Sequence, residues 1–390
     1  MELNLIEKTR LELASNGKKI LDLSSGLVRS TLIQFPTEIL KKGFQKFLEN
    51  PRYVPDSKGI LKARNAVAKF YAKRDCKINP EQILLTSGTS ESYFEIFKLL
   101  AEPGDEILFP NPSYPLFQHL ADLAHIQINW YQLDEEKSWQ PDFQNLQSRI
   151  SPKTKAIVLI SPNNPTGSVL SENSLLKIAE ISQKYHLPVI SDEVFSEMMF
   201  EGKKFPRLAS VAKEITVFTL NGVSKTYALP GLKLSWIAVS GPKASEISEK
   251  LSYLTDTFLA CNQMSQEMLT NIISGGKNFI QKQRNYLEKN RDTAMEIFSL
   301  FNDKFTAKKG IKITFHRPEA GPYLFAKIHG LNLTDEKFVV ELMKSSGIFV
   351  HPGYFYDYDR ALHILISFAM EPKKLKTALN KIVKFCGAQP

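Results

Sequence analysis

The chain has 390 residues, 43% of them hydrophobic and 23% charged, with a formal net charge of +9; this is the length of one large domain plus a smaller one, with an ordinary globular composition. The lysines are scattered, with no block of like charge and no nucleic-acid-binding motif, so nucleic acid is excluded as the expected partner, while the basic balance favours an anionic substrate or cofactor. Cys76, Cys261 and Cys386 show no CxxC spacing, the histidines form no HxxxH or HExxH pattern, and no segment has the apolar length of a membrane span; a disulfide framework, a metal centre and a membrane anchor are therefore excluded, and a cytoplasmic setting is predicted.

The first thirty residues read as a short helix and an arm. "FPTEILKKGFQKFLEN" (35–50) has helical periodicity, with apolar positions at Ile39, Leu40, Phe44, Phe47 and Leu48. A second helix is predicted over 57–74, with Ser57 near its start. Strands and helices then alternate: strand 82–87, helix 91–100, strand 105–110, helix 115–124, strand 126–133, strand 155–162, helix 171–185, and strands 187–194, 215–222 and 234–241. A long helical pattern follows over about 243–302, and 303–390 reads as an α+β unit with strands at 311–316, 323–328 and 362–369. The fold class is α/β: a mostly parallel sheet sandwiched by helices, plus a smaller α+β domain. Ligands of such sheets bind at the carboxyl ends of the strands.

The unusual residues gather at those ends. In "SGTSES" (87–92) Gly88 lets the backbone turn, and Thr89, Ser90 and the following amides stand at a helix N-terminus, a geometry that binds phosphate. Taken alone, a plain turn with an N-cap is the better explanation of this short stretch. "SPNNPTG" (161–167) ends an apolar strand with two amides, Asn163 and Asn164, held by the following proline. "ISDEVF" (190–195) puts Asp192 at a strand end, where a carboxylate needs a partner. "NGVSKTYALPGLKLSW" (221–236) carries two lysines, Lys225 after small residues and Lys233 before a strand. An anion cradle, an amide, a buried acid and a lysine suit pyridoxal phosphate. The acid keeps the ring nitrogen protonated, and the lysine forms a Schiff base that overcomes the poor nucleophilicity of a free amine at neutral pH.

On these motifs, "SPNNPTG", "SDEV" and "SK" before "PG", the chain resembles the fold-type I, class I/II pyridoxal-phosphate aminotransferases over nearly its whole length. The resemblance implies an aspartate aminotransferase-like fold. The expected division is an N-terminal arm and part of the small domain at 1–44, a large cofactor-binding domain at 45–285, and a C-terminal small domain at 286–390. It implies that Lys225 carries the Schiff base and moves protons, that Asp192 pairs with the ring nitrogen, and that Asn164 bonds the ring hydroxyl. Gly88, Thr89, Ser90, Ser224 and Lys233 are implied at the phosphate and its surroundings, with Tyr114 stacked on the ring. Tyr53 resembles the tyrosine that reaches a neighbouring subunit's phosphate, which implies a homodimer with shared sites.

Three departures stand out. Phe195 occupies the place of a tyrosine that donates to the ring hydroxyl, so the Schiff-base proton is expected to be held more tightly. Lys233 replaces an arginine and lacks its bidentate fork. Leu365, in "HILISFAM", stands where an arginine would pair with the substrate carboxylate. Arg29 and Arg360 are the substitute cations considered, and Tyr354 and Tyr356, in "HPGYFYD", are candidate pocket residues, Tyr354 being the favoured one. The expected activity is transfer of an amino group between an amino donor and a keto-acid acceptor. A β-lyase or decarboxylase on the same scaffold is the alternative, and a regulatory ligand-binding protein is the reading from another class.

Overall fold

A computed structural model describes residues 3–26, 33–51, Tyr53 and 55–389. The large sheet has eight strands: β1 (Ile83–Thr86), β2 (Glu106–Asn111), β3 (Gln127–Asp134), β4 (Gln140–Pro141), β5 (Thr154–Ile160), β6 (Val189–Asp192), β7 (Val217–Gly222) and β8 (Ser235–Ser240). They lie in the order β1-β8-β7-β6-β5-β2-β3-β4. The run from β7 to β3 is parallel, and the pairings of β8 and β4 with their neighbours are antiparallel.

The continuous apolar run in β5 follows from burial on both faces. Ile157 and Leu159 point into one core with Val189, Val217 and Trp236. Ala156, Val158 and Ile160 point into the other, with Ile190, Phe218, Ile96 and Phe97. The strand period of 2 thus feeds two cores from one segment.

Helix formation is equally local. Ser171 caps helix Glu172–Tyr185 by accepting the Ser174 N–H, and Asn262 caps helix Gln263–Gly275 through Ser265. The helical pattern expected over 243–302 is three helices, Ala244–Thr257, Gln263–Gly275 and Lys277–Lys309. The first break has Leu259 in the left-handed region (φ 64°). The second falls at the pair Gly275 and Gly276, where a Cβ on Gly276 would stand 2.6 Å from the Ile272 carbonyl oxygen and 2.5 Å from the Tyr227 ring. All three pieces share one helical period, so periodicity alone fused them.

The smaller sheet is antiparallel. Its strands β9 (Lys312–Phe315), β10 (Tyr323–His329), β11 (His351–Pro352) and β12 (His363–Ser367) lie in the order β9-β10-β12-β11. The N-terminal helix Leu5–Ser15 packs on helix Asp335–Ser346, and Leu21–Asp22 pairs in parallel with Ile348–Phe349. The expected boundaries at 44/45 and 285/286 fall inside helices Thr37–Glu49 and Lys277–Lys309. Among the described residues, no helix is long and apolar enough to cross a membrane, and no group of three potential ligands is placed to hold a metal.

Candidate active site

One end of the site is the N-terminus of helix Thr89–Leu100. Gly88 is its N-cap, and no side chain caps its first turn. Those first N–H groups have no partner within the helix and carry the positive end of its dipole. Gly88 does not serve as a left-handed turn; its backbone is extended (φ 171°). What the missing side chain leaves is space: a Cβ there would lie 3.6 Å from Lys233 Nζ. Lys233 itself sits in the left-handed region (φ 47°) after the turn Pro230–Leu232, and its side chain reaches back to Gly88. Thr89 is half-buried and Ser90 exposed. Amides and an ammonium therefore converge as an anion site, with Lys233 as a point charge.

The other end is Asp192, the last residue of β6 and buried. Its Oδ1 accepts the Val194 N–H at 3.1 Å and its Oδ2 accepts the Tyr93 hydroxyl at 3.0 Å. Burial pushes its carboxyl up to about 6, against the two hydrogen bonds and the charge of Lys225, which all favour ionisation. The next residue, Glu193, faces elsewhere, with Oε2 3.0 Å from Arg207 Nε. Strand alternation thus gives one acid to the site and locks its neighbour into an internal ion pair.

Between the two ends, Asn163 and Asn164 divide the work. Asn163 builds its own loop: its Oδ1 accepts from Thr166 N–H at 3.2 Å and from Thr166 Oγ1 at 2.8 Å. Asn164 is buried, and its Oδ1 has no hydrogen-bond partner among the described residues. A buried amide left in this state is costly unless a ligand completes it.

Lys225 lies on the short helix Val223–Thr226 after β7, half-buried next to Ser224. The helix is pinned by Asn221, whose Oδ1 accepts the Gly222 N–H at 2.7 Å and the Thr226 hydroxyl at 3.0 Å. Asn221 Nδ2 donates to the Glu193 carbonyl at 2.9 Å, which ties the lysine turn to the Asp192 segment. The small residues before Lys225 do not all serve the cofactor. Gly222 is small because a Cβ would stand 2.3 Å from Ser235 Oγ. Phe195 is buried, with its ring centroid 5.8 Å from Lys225 Nζ and 5.9 Å from the Tyr323 ring.

The remaining candidates divide. Tyr114 stands partly exposed, edge-on to Phe117 at 5.8 Å. Tyr53 lies on the surface at 60% exposure. The Tyr354 hydroxyl donates to Glu336 Oε1 at 3.1 Å and its N–H to Asp335 Oδ2 at 3.0 Å, which ties it to the first turn of helix Asp335–Ser346. Tyr356 is the buried one, its hydroxyl 2.9 Å from His351 Nδ1; burial, and then the charges of Tyr323 and Tyr114, hold its phenol well above the ordinary range. Leu365 is fully buried in β12, paired with Phe325 on one side and His351 on the other. Burial holds His351 neutral, its imidazole pushed down to about 4. Arg360 is bound to Gln132 and lies over the Tyr358 ring at 5.5 Å. Arg29 lies outside the described residues.

Two residues close to this chemistry, Tyr93 and Asn221, had no role in the sequence reading. Tyr93 belongs to the buried stripe of its helix with Ile96 and Phe97 and reads as core; only the fold reveals its hydroxyl's partner. Asn221 carried a usable signal, a polar side chain inside the buried strand Val217–Gly222, directly after Leu220.

An anion-binding helix end, an unpartnered amide, a buried carboxylate and an amine together fit a phosphorylated pyridine with a ring oxygen and an aldehyde. Comparison with known proteins agrees. The model of the family "Aminotransferase class I and II" matches residues 18–382. The glutamate-pyruvate aminotransferase AlaA of Haemophilus influenzae is 29% identical over 389 residues, covering 97% of this chain and 94% of that protein. The alanine aminotransferase of Mycobacterium tuberculosis is 29% identical over 384 residues, covering 96% and 87%. A solved structure of alanine aminotransferase from Pyrococcus furiosus superposes with a TM-score of 0.88 at 29% identity, covering 98% and 95%. Aspartate aminotransferase of Thermus thermophilus, at 23% identity and a TM-score of 0.85, shares the fold over 98% and 97%.

Proposed function

The chain belongs to the class I and II aminotransferases and is a pyridoxal-phosphate-dependent enzyme, and from that premise we propose that Lys225, Asp192, Asn164 and the Gly88–Lys233 cradle are its working parts. When bound, the cofactor supplies an electron sink for charge developing on the substrate carbon. Asp192 offers its carboxylate to the ring nitrogen. Asn164 offers its side-chain amide N–H to the ring oxygen. The first-turn amides of helix Thr89–Leu100 and the Lys233 ammonium hold the phosphate, with Ser224 beside the lysine turn. Tyr114 covers a ring face. Lys225 is the covalent anchor, and its Nζ moves the proton that amino transfer requires. The observation that carries this assignment is the buried Asn164 side chain, whose Oδ1 has no hydrogen-bond partner among the described residues, at the same strand edge as the buried Asp192 carboxylate.

The substrates we propose are an amino donor and a keto-acid acceptor, in line with the names of the relatives. Leu365 adds a condition. A buried leucine cannot neutralise a carboxylate, so the donor's carboxylate is not paired at that strand position. Arg29 is the cation proposed for it.

We also propose a homodimer in the cytoplasm. Tyr53, Phe258 and Leu259 are 60%, 58% and 65% exposed, and the loop after Tyr53 is joined to helix Ala244–Thr257 by Thr255 Oγ1 on the Ser57 carbonyl at 2.6 Å and by Lys58 on Glu249 at 2.8 Å. An apolar group of that kind suits a second copy of the chain. The three cysteines are buried free thiols, which suits a reducing compartment. The division into 1–44, 45–285 and 286–390 remains our proposal for the domains.

The test is a donor screen on the cofactor-loaded protein, read as absorbance change, with α-amino acids beside amines that lack an α-carboxylate. Transfer needs the amino acid's nitrogen to stay on the protein after the keto product leaves. Steady release of pyruvate and ammonia without that change would instead mark a lyase. Lys225→Ala should lower turnover by about a thousandfold or more, and Arg29→Ala should raise the KM for α-amino acids alone. An unchanged KM removes Arg29 from the reading.

A further inference from the structure

Tyr93 lies on helix Thr89–Leu100, one turn beyond the anion site. Its ring is fixed in an aromatic box: 4.9 Å from Phe117, 5.8 Å from Phe97 and 6.2 Å from Phe109. Phe117 also touches Tyr114 at 5.8 Å, so one cluster seats both tyrosines. A phenylalanine would fill that box equally well. The hydroxyl is the part that packing does not explain, and it donates to Asp192 Oδ2 at 3.0 Å with both residues buried.

We propose that Tyr93 is a positioning residue for the cofactor: its hydroxyl fixes the Asp192 carboxylate in orientation and keeps it ionised, so that it can hold a pyridine nitrogen protonated. The inference rests on the reading of Asp192 as the ring-nitrogen partner. The physical problem is desolvation. A carboxylate in this surrounding is pushed toward its neutral form, and a neutral acid can neither accept the ring proton's hydrogen bond as an anion nor stabilise the positive ring. Two donors from separate elements oppose this, the Val194 N–H on Oδ1 and the Tyr93 hydroxyl on Oδ2. The backbone donor comes with any residue in that turn. The side-chain donor depends on residue 93 being tyrosine. Burial, and then the charge of Asp192, hold the Tyr93 phenol well above its ordinary range, so it stays a donor throughout the working pH. The other ionisable groups coupled to the pair are Lys225 from the helix after β7, Glu193 next in the chain, and Tyr131 from β3 on the Tyr93 side.

The experiment uses Tyr93→Phe, which keeps the ring and removes one oxygen. In cofactor-free protein carrying carboxyl-labelled aspartate, the Asp192 signal is assigned by its loss in Asp192→Asn and titrated by NMR. A hydrogen bond to an ionised group corresponds to an upward shift of about one to two pH units on its removal. Pyridoxal phosphate affinity, read by fluorescence quenching, should weaken about tenfold at pH 7, and its loss should track the same midpoint. Site-specific 3,5-difluorotyrosine at position 93, a stronger donor of the same shape, should move the midpoint the other way. An Asp192 midpoint that stays put in both variants overturns the inference. Ordinary cofactor affinity and turnover in Asp192→Asn overturns the reading beneath it, so the two failures are told apart.

Discussion

The Nζ of Lys225 lies 5.8 Å from the centre of the Phe195 ring, and that ring has no hydroxyl to offer. The neighbourhood of the predicted Schiff-base lysine is therefore apolar on this side, since Phe195 is itself edge-on to Tyr323 at 5.9 Å. Asn164 is a buried polar group just past the end of the neighbouring parallel strand, beside Asp192's end of the sheet.

Phe195→Tyr should supply the missing donor. A hydrogen bond to the cofactor's ring oxygen favours its ionised form, so the pH midpoint of the bound cofactor's visible absorbance should fall by about one unit relative to the unsubstituted protein. A spectrophotometric titration of both proteins gives the answer. A midpoint that does not fall would mean that the new hydroxyl points away from the ring oxygen, toward Tyr323.

Asp192 trades stability for function. Its carboxyl sits at about 6 in the folded protein against 3.8 in an ordinary setting, raised chiefly by burial. A raised acid keeps in the folded state a proton that the unfolded chain gives up, so its contribution favours folding below about pH 4 and is lost as pH rises through about 6. In cofactor-free protein, Asp192→Asn should thus be more stable than the parent at pH 8, by roughly 2 to 3 kcal/mol, while turnover collapses. Denaturant melts at pH 4.5 and 8 check this; the two proteins should differ by much less at the lower pH.

The cofactor end of the site was legible because its parts are short local signals. A helix start, an asparagine before proline, a strand-end aspartate and a lysine in a turn each occupy a few consecutive residues, and the alternating strand order carries them to one edge of the sheet. What escaped depends on tertiary contact. Tyr93 has the spacing of a core residue, and only the approach of β6 to its helix gives its hydroxyl a partner. Tyr354 and Tyr356 are two residues apart in "YFY", and the single turn Gly353–Tyr356 decides that the first meets Glu336 and the second His351. Gly88 was read as a turn glycine, yet its use is the space it leaves beneath Lys233.

The proposed dimer has an economical test. Phe258 meets Phe94 edge-on at 6.3 Å, so one side of it is anchored, while its neighbour Leu259 is 65% exposed. Placing aspartate at Leu259 charges the patch without touching that contact. Leu259→Asp should shift the protein toward the monomer in sedimentation velocity, and should lower cofactor affinity if Tyr53 of one copy serves the other's phosphate. A monomeric parent protein refutes the dimer outright.

Glu95 offers the last test, one turn before the end of helix Thr89–Leu100. It is buried, and neither carboxylate oxygen has a hydrogen-bond partner among the described residues. Burial first, and then the charge of Glu91 one turn earlier, push its carboxyl up to about 8. The folded protein therefore retains a proton that the unfolded chain releases above its ordinary value of 4.5. Stability from this group is present below about pH 4.5 and drains away as pH rises toward 8, with a slope of about 1.4 kcal/mol per pH unit. Glu95→Gln removes the titration and keeps the shape. Its unpartnered amide costs the same at every pH, so the offset between the two proteins is uninformative and the slope is what matters. Unfolding free energies measured from pH 5 to 8 should converge or cross as pH rises, the variant gaining on the parent. Parallel curves would mean that Glu95 is ionised throughout and has found a cation.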